Sequence, residues 1–203
     1  MATRTLKPPA PERTPLPEEI YRLNVDQYET MVAAGLFTEH DRIHLINGIL
    51  VSKMTKKPPH VIASEKTRDA LLRVVLKGWR VMVEAPVRIP RYNEPEPDLA
   101  LARGKAEDYQ TRHLEPADLA LIIEVAESSL QQDRDLMLVY SRGGVPVSWI
   151  VNLVDRQVEV YSDSSRKGYR TRQVFEQGQE VPLVIDGVEL GRIAVSDMLP
   201  RKP

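Results

Sequence analysis

The chain of 203 residues is 42% hydrophobic and carries 28 lysine and arginine residues against 29 aspartate and glutamate residues, a formal net charge of −1. This balance excludes a field over the whole protein that would attract a polyanion, so any contact with DNA must be local. The absence of cysteine excludes disulfides, thiolate metal sites and a cysteine nucleophile. No apolar stretch is long enough to span a membrane and the N-terminus lacks a secretory signal, so we expect a cytoplasmic protein without membrane contact.

The sequence predicts an N-terminal arm followed by a single domain. Residues 1–17 are rich in proline, lysine, arginine and threonine and contain almost no apolar residues. Such a segment cannot offset the entropy of ordering, so we expect the arm to be disordered. Residues 18–200 are long enough to build one hydrophobic core.

From residue 24 onward the pattern predicts an α/β fold, a mixed β-sheet flanked by helices. Asn24 can cap a short amphipathic helix that Gly35 ends, and Asn47-Gly48 is typical of a two-residue hairpin turn. The continuously apolar run at 119–125 indicates a buried central strand. In chain order, the predicted elements are a helix at 25–34, the hairpin around 43–51, a long helix at 60–76, strands at 79–83, 85–89, 99–102 and 119–125, a helix at 131–142, and strands at 148–153, 157–161 and around 169–175.

Two acids lie at the ends of predicted strands. Asp98 follows Pro97 and directly precedes an apolar strand, and Glu124 closes the apolar run at 119–123. A strand and a connecting loop fit between them, so both carboxylates can reach one point, where they could hold Mg²⁺ or Mn²⁺. The alternative for Asp98 is a loop acid that caps backbone N–H groups. Burial of Glu124 among leucine and isoleucine is costly unless it is paired or bound to metal.

Four sequence blocks, in this order, resemble the Uma-two family of restriction endonucleases, which is assigned to the PD-(D/E)XK superfold. The blocks are PEPDLALARG, DLALIIEVAESSLQQDRD, YSRGGVPVSWIVNL and RQVEVY. The resemblance covers roughly residues 20–200 and implies a restriction-endonuclease-like fold and Mg²⁺-dependent cleavage of DNA. It also implies that Asp98 is the acid of the PD motif and Glu124 the acid of the E-x-K motif. Many nucleases of this superfold act as dimers, so a homodimer is possible.

The chain departs from the family pattern at three positions. The lysine expected two residues after the glutamate is Ala126, and the lysine that family members commonly carry on the next helix is replaced by Met137. An auxiliary glutamate in the hairpin is replaced by His44, which could bind metal through a neutral nitrogen but is more often a packed or surface residue.

Several cations could replace the missing lysine. The loop before the long helix contains Lys56 and Lys57 and leads to His60, and anion binding is physically favoured at a helix N-terminus. We therefore predict that Lys56 acts in catalysis and that Lys56, Lys57 and His60 contact DNA, although a solvated basic loop would have the same sequence. Arg134 could bind a phosphate but cannot remove a proton. The remaining candidates are Lys53 and Lys66.

Two functions follow from the sequence. The first is a Mg²⁺-dependent or Mn²⁺-dependent DNA endonuclease in which Asp98 and Glu124 hold the metal, with activity that the three departures could impair. The second is a degenerate member of the family that binds nucleic acid or a protein partner without cutting, as the losses at Ala126, Met137 and His44 would allow.

Overall fold

The computed structural model describes residues 20–38, 40–75 and 77–201, and the arm predicted at residues 1–17 lies outside the described residues. Two short 3-10 helices, Ala106–Tyr109 and Pro116–Asp118, accompany the main elements. The α-helices are α1 (Val25–Ala33), α2 (Pro58–Leu72), α3 (Leu130–Gly143) and α4 (Val195–Met198). The strands are β1 (Ile43–Ile46), β2 (Ile49–Ser52), β3 (Trp79–Val83), β4 (Leu99–Arg103), β5 (Leu119–Ala126), β6 (Ser148–Asn152), β7 (Gln157–Ser162), β8 (Thr171–Glu176), β9 (Glu180–Ile185) and β10 (Val188–Ala194).

The central layer is a six-stranded sheet in the order β3-β4-β5-β6-β7-β8. Neighbouring strands are antiparallel except for β5 and β6, which are parallel. Parallel strands need a crossover connection, and α3 supplies it. The predicted mixed sheet flanked by helices is therefore confirmed.

Both faces of the sheet are buried, because alternate side chains of β5 pack into two different cores. Leu121, Ile123 and Val125 belong to a core formed with α2, α4 and the β9–β10 hairpin. Ile122 and Ala126 belong to a second core formed with α3. Because successive side chains of a strand point to opposite faces, Glu124 faces α3.

The β1–β2 hairpin turns at Asn47 and Gly48, as the sequence predicts. Their φ angles are 50° and 76°, and two positive φ angles in a two-residue loop are typical of a type I′ turn. A Cβ atom at Gly48 would lie 2.5 Å from Cβ of Arg22, so this position also requires glycine for space. The turn directs the chain into the loop that leads to α2.

The structure corrects two of the predicted elements and adds a hairpin. Residues 85–89 form no strand, because Val87 and Ile89 make only isolated bridges, and their apolar side chains pack in the α3 core. The predicted helix at 60–76 begins earlier and ends earlier, at Pro58 and Leu72. The β9–β10 hairpin was not predicted, although Asp186-Gly187 between two apolar runs is a hairpin signal.

A buried carboxylate joins α3 to the sheet. Glu159 in β7 is fully buried and accepts hydrogen bonds from Arg134 of α3 and, at 3.1 Å, from Arg172 of β8. Asn152 and Tyr161 donate two more. Burial by itself would raise the pKa of Glu159, but these donors outweigh it and lower the pKa to about 2.

We expect the substitution Glu159→Gln to lower the free energy of unfolding at pH 7 by roughly 2 to 3 kcal/mol. The folded-state pKa lies below the ordinary value of 4.5, so this stabilisation is present above pH 4.5 and is lost as the pH falls towards 2. Urea unfolding of both proteins between pH 7 and pH 2.5 measures the difference. A difference that does not shrink with falling pH would contradict the assignment. Asp163→Asn, at an exposed acid paired with Arg170, is the control and should have little effect.

Candidate active site

The pairing of β4 with β5 brings Asp98 and Glu124 together. Leu99 lies opposite Ile123 in the antiparallel register, so Asp98 lies beside Glu124 at the same end of the sheet. The backbone N–H of Asp98 donates to Oε2 of Glu124 at 3.3 Å, and the backbone N–H of Val125 donates to Oδ2 of Asp98 at 2.8 Å. Both acids are more than nine-tenths buried. Neighbouring strands therefore hold the two carboxylates in place.

Helix α3 supplies two further polar groups to this position. The hydroxyl of Tyr140 donates to Oε1 of Glu124, and Asp133 is buried and accepts a 2.6 Å hydrogen bond from Ser129. Asp133, Met137 and Tyr140 are separated by four and three residues and therefore lie on one helix face. Asp133 and Tyr140 were not predicted as site residues, although their helical spacing is visible in the sequence.

The loop between β2 and α2 brings a lysine to Asp98. Nζ of Lys56 lies 2.6 Å from Oδ1 of Asp98 and also pairs with Glu84. From the first turn of α2, Nε2 of His60 lies 3.1 Å from Oδ2 of Asp98. Asp98, Glu124, Lys56 and His60 therefore form one connected group of side chains.

The charges of this group are strongly coupled. Burial would raise the pKa of Asp98, but His60 and Lys56 outweigh it and hold the pKa below its ordinary value. Burial raises the pKa of Glu124 well above its ordinary value, and the negative charges of Asp98 and Asp133 add to the effect. Burial, with a contribution from Asp98, also raises the pKa of Asp133, to about 6. The site holds more acidic groups than its own cations neutralise.

The donor set fits a small divalent cation held by two carboxylates. A cation at Asp98 and Glu124 would relieve the repulsion that raises the pKa of Glu124. Within the described ranges, no group of three acids or histidines at this site brings one ligand atom from each within 4.8 Å of the others. Mg²⁺ commonly takes one or two carboxylates and completes its shell with water and phosphate oxygens. Asp98 and Glu124 could therefore hold Mg²⁺ or Mn²⁺ without a third protein ligand.

The site opens into a cleft of roughly 380 Å³. Its described lining contains six acids and only four lysine or arginine residues. An excess of acids repels a polyanion, so DNA would enter this cleft more readily with a divalent cation bound. The lining comes from the β1–β2 hairpin, the loop at 52–57, His60, residues of 95–98 and residues of 124–139.

The structure does not bring every predicted residue to the carboxylates. Lys57 lines the cleft, but Arg134 is outside its lining because its guanidinium binds Glu159. Pro58 and Pro59 are the first residues of α2 and have no N–H, so the backbone at this helix N-terminus offers an anion fewer donors than the sequence analysis assumed. Contact with phosphate would therefore depend on side chains.

The structure also shows where the residues that depart from the family pattern lie. Met137 is buried in the α3 core, and Ala126 is buried on the same face of β5 as Glu124, so neither position supplies a cation. His44 lines the cleft, and its Nδ1 atom is buried without a hydrogen-bond partner in the described chain. Burial, assisted by the charge of Lys53, lowers the pKa of His44 to about 4, so the ring is neutral at pH 7.

A mixed sheet that presents two acids from adjacent strands beside a lysine defines a nuclease-like fold. The solved structures agree with this class. A crystal structure from Anabaena variabilis, described as "a putative nuclease belonging to DUF820", matches with a TM-score of 0.69 at 16% identity, over 87% of this chain and 97% of that chain. At this identity the likeness shows the fold.

The family follows from a match over most of the sequence. The family described as "Uma2: Putative restriction endonuclease" matches residues 25–195, and the chain belongs to it. The resemblance of the four sequence blocks is therefore confirmed. No curated protein matches the sequence. In the described part of the chain, no helix has the length and apolar character needed to cross a membrane.

We expect Glu124→Gln to raise the stability of the metal-free protein at pH 7 by roughly 1 to 2 kcal/mol, because the buried carboxyl must either take up a proton or keep its charge on folding, and an amide requires neither. The pKa of Glu124 is raised in the folded state, so the gain should vanish below pH 4.5 and grow as the pH rises. Urea unfolding in the presence of a chelator measures it. Glu127→Gln, at a half-buried acid that lines the same cleft, is the control. Lower stability of Glu124→Gln at pH 7 would show that the carboxylate is structural.

Proposed function

We propose that the protein is a Mg²⁺-dependent or Mn²⁺-dependent DNA endonuclease that hydrolyses phosphodiester bonds in this cleft. The observation that carries the proposal is the contact between Lys56 and Asp98 beside Glu124. Two acids and a lysine are the groups that the family uses, and this chain gathers all three although its lysine comes from another part of the sequence. Family membership supports the same conclusion.

Each side chain has a distinct proposed role. Asp98 and Glu124 would hold the cation, which when bound polarises the phosphodiester and lowers the pKa of a bound water. Asp98 raises the pKa of Lys56 above its ordinary value, against the effect of burial, so Lys56 remains an ammonium group at neutral pH. Lys56 therefore orients the attacking water or the scissile phosphate and does not act as the base.

Three further residues would prepare the cleft for its substrate. His60 contacts Asp98 from the side opposite Lys56, one on each carboxylate oxygen, and so fixes the rotation of that carboxylate. Lys57 lines the cleft next to Lys56 and would contact a phosphate of the bound DNA through its side chain. The hydroxyl of Tyr140 orients Glu124 in the same way.

Nicking of supercoiled plasmid in Mg²⁺ or Mn²⁺ tests this proposal. We expect activity that a chelator abolishes, a loss of about 100-fold or more in Asp98→Ala and Glu124→Ala, and a loss of about 10-fold to 100-fold in Lys56→Met. Lys167→Met, at an exposed lysine outside the cleft lining, is the matched control and should retain activity. Equal activity in wild type and Asp98→Ala would overturn the site.

A second candidate is a non-cutting protein that binds nucleic acid, and one observation favours it. Lys56 and His60 already contact both oxygens of Asp98, so each carboxylate oxygen has a protein partner without metal. If this function is correct, purified protein will bind labelled DNA with an affinity that Asp98→Ala and Glu124→Gln leave unchanged. Mn²⁺ will also change the melting temperatures of wild type and of the double variant Asp98→Asn, Glu124→Gln equally, because no metal binds the cleft. Metal-dependent nicking would exclude it.

A further inference from the structure

A second group of potential metal ligands lies outside the cleft lining. Glu29 of α1, Glu94 of the segment between β3 and β4, and His113 of the loop before β5 each offer one ligand atom, and these atoms lie within 4.8 Å of one another. Nε2 of His113 is 3.9 Å from Oε1 of Glu94. Three segments that are distant in the sequence therefore converge on one point.

Glu94 is the unusual member of this group. Its residue is only 5% exposed, and its Oε2 atom is buried and accepts no hydrogen bond from the described residues. A carboxylate oxygen removed from water without a donor costs free energy. A cation at this point would supply the missing partner.

Arg88 acts on Glu94 through its charge, but its hydrogen bonds go to other acids. Arg88 donates from Nε to Oε1 of Glu29 at 2.9 Å, and its Nη2 atom pairs with Asp26. Burial raises the pKa of Glu94 to about 8, and the hydrogen bond and charge of Glu29 add to this effect, while the charge of Arg88 opposes it. The two carboxyl groups therefore lie close together, and no cation within the ranges that the structure describes is bonded directly to Glu94.

We propose that Glu29, Glu94 and His113 bind a divalent transition metal of the Zn²⁺ type. Two carboxylate oxygens and one imidazole nitrogen are a donor set that suits Zn²⁺, with water in the fourth position. Ligand atoms around tetrahedral Zn²⁺ lie about 3.4 Å apart. The side chain of His113 is 46% exposed and can rotate to close the remaining distance, whereas Glu29 would offer an oxygen to the metal while Arg88 still binds its carboxylate.

The location of this site indicates a structural role that is independent of the proposed nuclease activity. The backbone N–H of Glu94 donates to the carbonyl of Leu45 in β1 at 2.8 Å. Leu45 packs in turn with Val25 and Tyr28 of α1. A metal bound to Glu29 and Glu94 would therefore join α1 and the β1–β2 hairpin to the edge of the central fold.

Calorimetric titration of the chelator-treated protein with ZnCl2 tests the proposal. We expect one Zn²⁺ per chain at this site, an affinity reduced at least about 10-fold by His113→Gln and about 100-fold by Glu94→Gln, and no change in the control His40→Gln, at an exposed histidine outside the group. The titration is repeated in the double variant Asp98→Asn, Glu124→Gln, because Zn²⁺ could also bind the cleft. Binding that survives in the double variant and disappears with Glu94→Gln supports the proposal.

Two outcomes of the titration would overturn it. One is Zn²⁺ binding that Glu94→Gln and His113→Gln leave unchanged, and the other is binding lost entirely in the cleft double variant. Misfolding is a separate explanation for lost binding, so the melting temperature of each metal-free variant is measured as well. Glu94→Gln removes a buried acid without a partner and should melt no lower than wild type without metal, yet gain no thermal stability from Zn²⁺. A wild-type melting temperature that Zn²⁺ does not raise would also contradict the proposal.

Discussion

The antiparallel pairing of β4 with β5 imposes the constraint on which the site depends. It forces Asp98 and Glu124 into one buried position. Two unit charges about 4 Å apart repel by about 4 kcal/mol at an effective dielectric constant of 20. The side chains around the pair reduce this repulsion, since Lys56 and His60 contact Asp98 and Tyr140 donates to Glu124. A sheet built only for stability would not place two acids at this point.

Three buried acids differ in how far neighbouring donors and cations compensate their charge. Glu159 receives enough donors to be ionised at low cost, and its pKa falls. Glu124 and Glu94 are under-compensated, and burial raises the pKa of both. Satisfied buried acids stabilise a fold, whereas under-compensated ones mark positions where a cation can bind. Glu159 therefore belongs to the architecture, and Glu124 and Glu94 are the residues proposed as metal ligands.

The sequence predicted the parts of the fold and site that depend on local pattern. Asp98 and Glu124 could be found because a Pro-Asp step and a glutamate in an apolar run are both visible in the sequence. The sequence alone could not show which of the candidate cations reaches the carboxylates. The contact of Lys56 with Asp98 depends on where the β2–α2 loop crosses the end of the sheet. Residues 85–89 were predicted as a strand because burial under a helix gives the same apolar pattern as burial in a sheet.

The position of Lys56 on a loop has a consequence for kinetics. A lysine two residues after Glu124 would lie on a strand that the hydrogen bonds of the sheet hold in place. Lys56 lies on the loop before α2, so its backbone is held only as firmly as that loop. If the protein cuts DNA as proposed, the fraction of molecules ready to cut would equal the fraction in which this loop is closed on Asp98. The observed rate would be the intrinsic rate multiplied by that population. A ligand or partner that orders the loop would act as an activator without touching the metal.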